Sequence, residues 1–378
     1  MKRLYQLLAF LFCFIGLSSV QAAGPDEVAR SDRSLWPLAF DSAAAYNRAS
    51  RAEILAFAGA LSRVTALSEA GLMAELHIQS ADLASVKRVR DRLVDRLLEN
   101  YRAAQAGCSS DEPFCPSVKS ASDLFSAANA LASSTPAPYR SWLRNAQEFH
   151  RIYANEQIRL AALFPRISSE IDRFDDKERN GFERADGHFQ LTFDDGPTDR
   201  VGSTDTLLGT LQREGVHGTF YVVGSRLQAR LQVESQTQVR ERYQGQCLAL
   251  HGWTHVSHAK SEGWQKSVLD TQELVQRVFG TQYRPWFRPP YGQRRSDSPA
   301  FFQQHGLSVA LWNIDSQDWN ATLRADEAAN RVLTLMLLWR RGAILFHDVS
   351  PKANTAVPWL LAQTRKAGIV WEDCRSAP

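Results

Sequence analysis

Two adjacent carboxylates, Asp194 and Asp195, follow the β-prone run His188 to Phe193 and precede Gly196-Pro197, which stops the strand. Side chains alternate across a strand, so neighbouring acids stay together only where the strand turns at the rim of a sheet. Like charges this close need separate partners: a metal for one, a cation or proton for the other. Downstream, His251 and His255 are four residues apart after the apolar run Cys247 to Leu250. On one helical turn both rings would face the same way. A His/His/Asp set with an open position suits zinc or a similar borderline ion, which can polarise a carbonyl and acidify water for amide hydrolysis. Taken singly, Asp-Asp-Gly-Pro is a common surface turn and such a histidine pair is usually unrelated. Their company on one chain favours a site. His258 also lies nearby, at a spacing that reads as a supporting or solvated side chain.

Three more polar clusters follow in order: Phe287-Arg288-Pro289-Pro290-Tyr291-Gly292, then Trp312 to Trp319 with Asp315 and Asp318, then Ile344-Leu345-Phe346-His347-Asp348. Each follows or ends a short apolar run, with helical stretches between. That is how a parallel α/β barrel places chemistry at the carboxyl ends of its strands. The five clusters together, over roughly residues 185 to 372 or about half the chain, resemble the polysaccharide deacetylases of the NodB-homology type, carbohydrate esterase family four.

The resemblance implies an α/β fold, a distorted (β/α) barrel, and an amide hydrolase holding one divalent ion. Zinc is the first expectation, with Co2+, Ni2+ or Mn2+ as alternatives. Asp195, His251 and His255 would be the metal ligands and Asp194 the general base. Arg288 would balance the charge on Asp194 and keep it ionised. His347 would be the general acid, its pKa raised by Asp318 or, as the alternative, Asp315. The N–H of Tyr291, after two prolines that cannot donate, would serve the oxyanion. Trp319 and Leu345 would line the slot for the acetyl methyl group. One departure stands out: Gly252 occupies the place where the family usually has Ser or Thr, a hydroxyl thought to steady the metal-binding loop.

The barrel that must position these residues is preceded by a stretch of different character. From Leu38 to about Phe174 apolar residues recur at three- and four-residue intervals, as in Ile54, Phe57, Leu61, Val64 and in Val86, Val89, Leu93, Leu97, Tyr101. The spacing predicts about four antiparallel helices, with turns near Ser68, Cys108–Pro116 and Ser134–Pro138. The expected organisation is a signal peptide over 1–22, an all-α helical domain over 24–175, a linker over 176–186 in a charged stretch, and the deacetylase barrel over 187–378. The helical part carries no motif for chemistry, and covering one side of the barrel is its plainest role.

Met1-Lys2-Arg3, the apolar stretch Leu7 to Leu17 and the small residues before Ala22 and Ala23 compose a secretory signal. The apolar stretch is short for a membrane span, and no later segment is apolar enough for one. The mature protein is expected to be periplasmic or secreted. Its formal charge falls from +3 to about +1 once Lys2 and Arg3 leave, which argues against nucleic acid as a partner and suits a glycan. Four cysteines then remain and allow three pairings. Cys108–Cys115 would close a short ring around a polar loop, and Cys247–Cys374 would pin the chain's end beside the site; free thiols fit an oxidising compartment poorly. Eight of the ten tryptophans lie from Trp253 onward. Trp253, Trp264 and Trp319 are candidates for a sugar platform, although most of the eight should fill the core.

The function this predicts is removal of N-acetyl groups from N-acetylglucosamine-type residues of an extracytoplasmic polysaccharide. Peptidoglycan comes first as substrate, then exopolysaccharide or chitin oligomers. The alternatives are a barrel that binds glycan without turnover, which the presence of both Asp194 and His347 disfavours, and an O-acetyl esterase. A metallopeptidase would need an HExxH-type signature, which is absent.

Overall fold

The structure is a computed structural model that describes residues 27–163 and 173–376. The expected signal peptide, with Cys13, lies outside the described residues. The first described half is helical: α1 (Ala43–Thr65), α2 (Glu69–Glu75), α3 (Leu83–Gln105), α4 (Ala121–Ser134) and α5 (Arg140–Leu163). Each of the first four starts where a polar side chain takes an orphan N–H: Ser42, Ser68, Asp82 and Ser120, the last in a capping box with Asp123. Helices α3, α4 and α5 pack on α1, whose residues 49–61 are all buried.

Strands and helices then alternate. The order is β1 (His188–Asp194), α6 (Ser203–Glu214), β2 (Thr219–Val222), α7 (Gly224–Leu231), α8 (Gln236–Arg242) and β3 (Cys247–Leu250). Next come α9 (Trp264–Phe279), β4 (Tyr283–Phe287), α10 (Pro299–Gln304), β5 (Ser308–Val309) and β6 (Ile314–Asp315). The chain closes with α11 (Ala325–Trp339), β7 (Gly342–His347), α12 (Pro351–Thr364) and β8 (Val370–Trp371). Strand neighbours run β5-β4-β3-β2-β1-β7-β6, all pairings are parallel, and β8 pairs the start of β1. This is a distorted (β/α) barrel preceded by helices. Because every strand points the same way, all their carboxyl ends share one rim.

The charged stretch before β1 does not behave as a free tether. Arg179 N donates to Val309 O at 2.9 Å and its carbonyl accepts from Leu311 N at 2.6 Å, so it extends the sheet past β5. Glu178 is buried against Arg294, whose Nε donates to it at 2.6 Å. Glu178 and Arg179 are thus tied into the barrel.

The helical half and the barrel meet along α11. Residues 331–339 of α11 are all buried, and all but Arg331 and Thr334 are apolar. Its last-turn carbonyls, orphans in an isolated helix, are taken by the helical half. Tyr46 Oη donates to Met336 O (2.8 Å), Ser50 Oγ to Leu337 O (2.6 Å), and Asn100 Nδ2 to Leu338 O and Trp339 O (both 3.1 Å). Arg331 pairs with Glu156 of α5, both buried. Breaking one side of such a pair costs roughly 3–5 kcal/mol, because the other charge stays buried. Both cysteine pairings favoured from the sequence are present, Cys108–Cys115 and Cys247–Cys374, with Cα atoms 6.4 and 6.0 Å apart. Among the described residues no helix is long and apolar enough to cross a membrane.

Candidate active site

The rim collects side chains from five strand ends. β1 ends at Asp194, and Asp195 follows in a left-handed conformation (φ 81°) that turns its carboxylate across the rim; Arg226 Nη1 donates to its carbonyl at 2.9 Å. Beyond β3 the chain supplies His251 and His255, and β4 is followed by Arg288. β6 leads into Asp318, while β7 ends at His347, in register with Asp194.

His251 and His255 converge, but not on a helical turn. Residues 251–255 form a bent loop whose Gly252 has φ 82°. A Cβ there would lie 2.8 Å from His258 Nε2, so both the backbone and the space favour glycine. The loop is steadied instead by neighbours: Trp253 N donates to Ser267 Oγ at 2.7 Å, and Gly224 N and Ser225 N donate to the carbonyls of residues 252 and 253. His258 is buried against Phe287, with ring planes 11° apart, and burial lowers its pKa to about 4. It is a packing residue of this loop.

The Asp195–His251–His255 group fits a cation. His251 Nδ1 lies 2.7 Å from Arg288 O; a carbonyl only accepts, so Nδ1 donates and Nε2 is the nitrogen turned towards the group. That nitrogen lies 3.2 Å from Asp195 Oδ1, and His255 Nε2 lies 3.3 Å from the same oxygen. Burial, then the neighbouring His251, lowers His255 to about 4, so its ring is neutral near pH 7. Burial alone would raise Asp195, yet its pKa lies well below the ordinary carboxylate range because the neighbouring histidines, His251 first, favour its charged form. One potential ligand atom from each residue lies within 4.8 Å of the others. Two imidazole nitrogens and a carboxylate oxygen converging on one point are a donor set that suits a divalent cation.

Asp194 is buried beside this group. Arg288 Nη1 donates to Asp194 Oδ1 and to Thr192 Oγ1, both at 2.8 Å. The rest of the guanidinium is held by Ala310 O (2.9 Å) and Leu311 O (3.0 Å), and Tyr221 lies 4.0 Å beneath it. Across the cleft, Asp318 grips His347 twice, accepting from its N–H at 3.0 Å and its Nδ1 at 2.7 Å. Burial disfavours the imidazolium, but the Asp318 charge and hydrogen bond outweigh it and raise His347 to about 10. Asp315 makes no such contact; its Oδ1 accepts from Gln317 N at 2.7 Å.

Of the remaining sequence candidates, Tyr291 is 55% exposed, in a left-handed turn, with its ring 4.5 Å from that of His255. Trp319 is 47% exposed, and Leu345 is buried in β7, paired with Thr192 and Asp315. Trp264 packs on Phe301 and Phe302 and is buried, while Trp253 is half-buried against Gly224, so neither offers an open sugar platform.

Two residues went unassigned in the sequence. Thr192 shares a strand face with Asp194, and the two-residue period could have found it. Asp348 is buried, accepts from Thr204 Oγ1 at 2.8 Å, and its N–H donates to Asp194 O at 3.2 Å; burial raises its pKa to about 7. A Cβ at residue 196 would overlap its carboxylate, which ties Gly196 to that side chain. No sequence signal marks that contact.

The polysaccharide deacetylase family profile matches residues 183–310. The peptidoglycan-N-acetylmuramic acid deacetylase PdaC of Bacillus subtilis is 34% identical over 132 residues, 34% of this chain and 26% of that protein. A Bacillus cereus peptidoglycan-N-acetylglucosamine deacetylase is 27% identical over 57% of this chain and 78% of its own. The chain thus spans about a quarter of the first and about four fifths of the second. A crystal structure of a peptidoglycan N-acetylglucosamine deacetylase superposes with a TM-score of 0.46 at 22% identity, over 53% of this chain and 92% of that one. Within the barrel half, residues 183–310 thus match the polysaccharide deacetylase family.

Proposed function

We propose that the protein is an exported, metal-dependent hydrolase that removes acetyl groups from N-acetylated sugars of a polysaccharide, with peptidoglycan as the first substrate class. The observation that carries this is one rim of the sheet that gathers both halves of the chemistry. Three ligand atoms converge beside an arginine-held Asp194, and a doubly gripped imidazole stands on the neighbouring strand, in register with Asp194. The relatives named for peptidoglycan deacetylation support the substrate class, and two disulfides support an oxidising compartment.

Asp195, His251 and His255 would hold one divalent ion, zinc or a similar borderline metal. When bound, it would supply Lewis acidity to the acetyl carbonyl and lower the pKa of water. Asp194, paired with Arg288, accepts a proton as the water oxygen adds to the amide carbon. The Tyr291 N–H would serve as donor to the oxyanion. His347 donates its Nε2 proton to the departing amine nitrogen as the C–N bond breaks, and Asp318 keeps the ring charged and oriented until then. Acetate and a free amine result. Trp319 and Leu345 bound the acetyl group's side of the cleft.

The test is acetate release by the zinc-loaded full chain from peptidoglycan, chitin oligomers and acetylated xylan. Release from the first two only is expected. Release from xylan alone would make the protein an ester hydrolase, and tight glycan binding without any acetate would make it a binding protein.

A further inference from the structure

Glu156 belongs to α5, in the half of the chain without catalytic motifs, yet an unbroken set of contacts joins it to the wall that carries His347. Both Glu156 and Arg331 are buried. Arg331 Nη1 and Nη2 meet the two Glu156 oxygens at 3.1 and 2.7 Å, and its Nε donates to Asp315 O at 2.9 Å. Ala29 braces the pair: its N–H donates to Glu156 at 3.1 Å and its carbonyl accepts from Arg331 at 3.2 Å. Asp315 opens the turn that ends in Asp318. Within it, Asp315 Oδ1 takes the N–H of Gln317 (2.7 Å) and Ser316 Oγ that of Asp318 (3.2 Å). Asp318 then grips His347 through both ring and backbone.

We propose that Glu156, acting through Arg331, is a positioning residue for the proton-donating wall, so that the helical half fixes the Asp315–Asp318 turn and with it His347. The proposal rests on the deacetylase reading for the role of His347. A guanidinium held by both oxygens of a carboxylate has a fixed orientation, so its third edge presents Nε to the Asp315 carbonyl at a set angle. Glutamine in place of Glu156 keeps the shape but removes the charge and one acceptor. Arg331 is then drawn to the nearest remaining carboxylate, that of Asp315, which withdraws the acceptor of Gln317 N and loosens the turn. Misplacement of about 1 Å by a distant change can cost on the order of 10²-fold in rate.

The experiment compares Glu156→Gln, Glu156→Asp and Ser50→Ala in the full chain. Ser50→Ala removes a hydrogen bond from the same interface, to Leu337 O, away from Asp315. For Glu156→Gln we expect kcat to fall about 10- to 100-fold with KM and zinc affinity unchanged. Hydrogen exchange at the Gln317 and Asp318 amides should accelerate, with that at residues 251–255 unaltered. Glu156→Asp, which restores the charge, should recover part of the rate, and Ser50→Ala should lower Tm without touching kcat. If Glu156→Gln does not fold, Arg331→Lys is the second variant; it keeps a charge for Glu156 but cannot also hold Asp315 O, and should show the same local exchange. Unchanged exchange at 317 and 318 in a folded variant overturns the proposal, as does a kcat loss in Ser50→Ala equal to that in Glu156→Gln. If the wild type releases no acetate from any glycan, the deacetylase reading fails by itself, and the exchange measurement still decides the coupling.

Discussion

The two walls of the cleft are finished to different degrees. The His347 wall is complete as folded: one carboxylate holds the ring and the backbone of its histidine, and a buried ion pair backs the turn from behind. On the opposite wall, Asp195 Oδ1 is buried without a hydrogen bond of good geometry and faces two ring nitrogens. The chain's own contacts set the first wall, whereas the second is a set of converging ligand atoms that a cation would fit. The difference also has a sequence side. The family profile ends at residue 310, before Asp318 and His347, so the pairing of these two is read from this chain's own contacts.

The largest effect should come from removing a ligand on the unfinished wall. His251→Ala or Asp195→Ala should abolish both tight zinc binding and acetate release, since three ligands leave no redundancy. Zinc should raise the Tm of the wild type, because it binds only the folded state, and leave that of the variants unmoved. Wild-type-like turnover by a metal-stripped His255→Ala protein would refute a metal at this wall.

Next in size is Asp194→Asn, which keeps the hydrogen bond from Arg288 but cannot take a proton from water. Zinc should stay bound while kcat falls on the order of 10²–10⁴-fold. Loss of zinc with surviving turnover would exchange the roles of Asp194 and Asp195.

Much of this site was legible because its parts are local. A short apolar strand followed at once by Asp-Asp, by His251, by Arg288 or by His347 can be read without knowing what lies across the rim. The geometry of the histidine pair was not. A four-residue spacing suits a helical turn and a tight loop equally, and only the φ of Gly252 decides between them. The tie between Glu156 and Arg331 spans 175 residues and joins two unremarkable helical positions, so no local pattern could show it. Charge misled at Glu178, which reads as linker and is buried against Arg294. Trp264, a sugar-platform candidate weighed against core packing, takes the core, since an aromatic ring serves a core as readily as a surface.

On the finished wall the expected change is a displaced pH limb. His347 must be protonated to act, and its pKa near 10 keeps it so through neutral pH. The rate should therefore fall only as pH rises towards that value. Asp318→Asn removes the charge that outweighs burial, so the pKa should drop towards or below the ordinary imidazole value of about 6.5. The alkaline limb should move down by a unit or more, with the rate below about pH 6 least affected. A limb that stays in place in Asp318→Asn would show that Asp318 does not tune the acid.

The smallest effect concerns the family's missing hydroxyl. Gly252→Ser would return it to the loop between the two histidines, and a simple reading of the family pattern predicts tighter zinc binding. The local geometry predicts the opposite sign. The backbone there is left-handed, and the new Cβ would meet His258 Nε2 at 2.8 Å. A non-glycine residue held in such a conformation costs about 1–3 kcal/mol. The loop also already has its hydroxyl, supplied from α9 by Ser267 to the N–H of Trp253 at 2.7 Å. We expect Gly252→Ser to lower Tm by a few degrees and zinc affinity slightly or not at all, with Ser267→Ala weakening zinc more than Gly252→Ser strengthens it. Tighter zinc binding at unchanged Tm in Gly252→Ser would mean that the loop lacks a support which Ser267 does not provide.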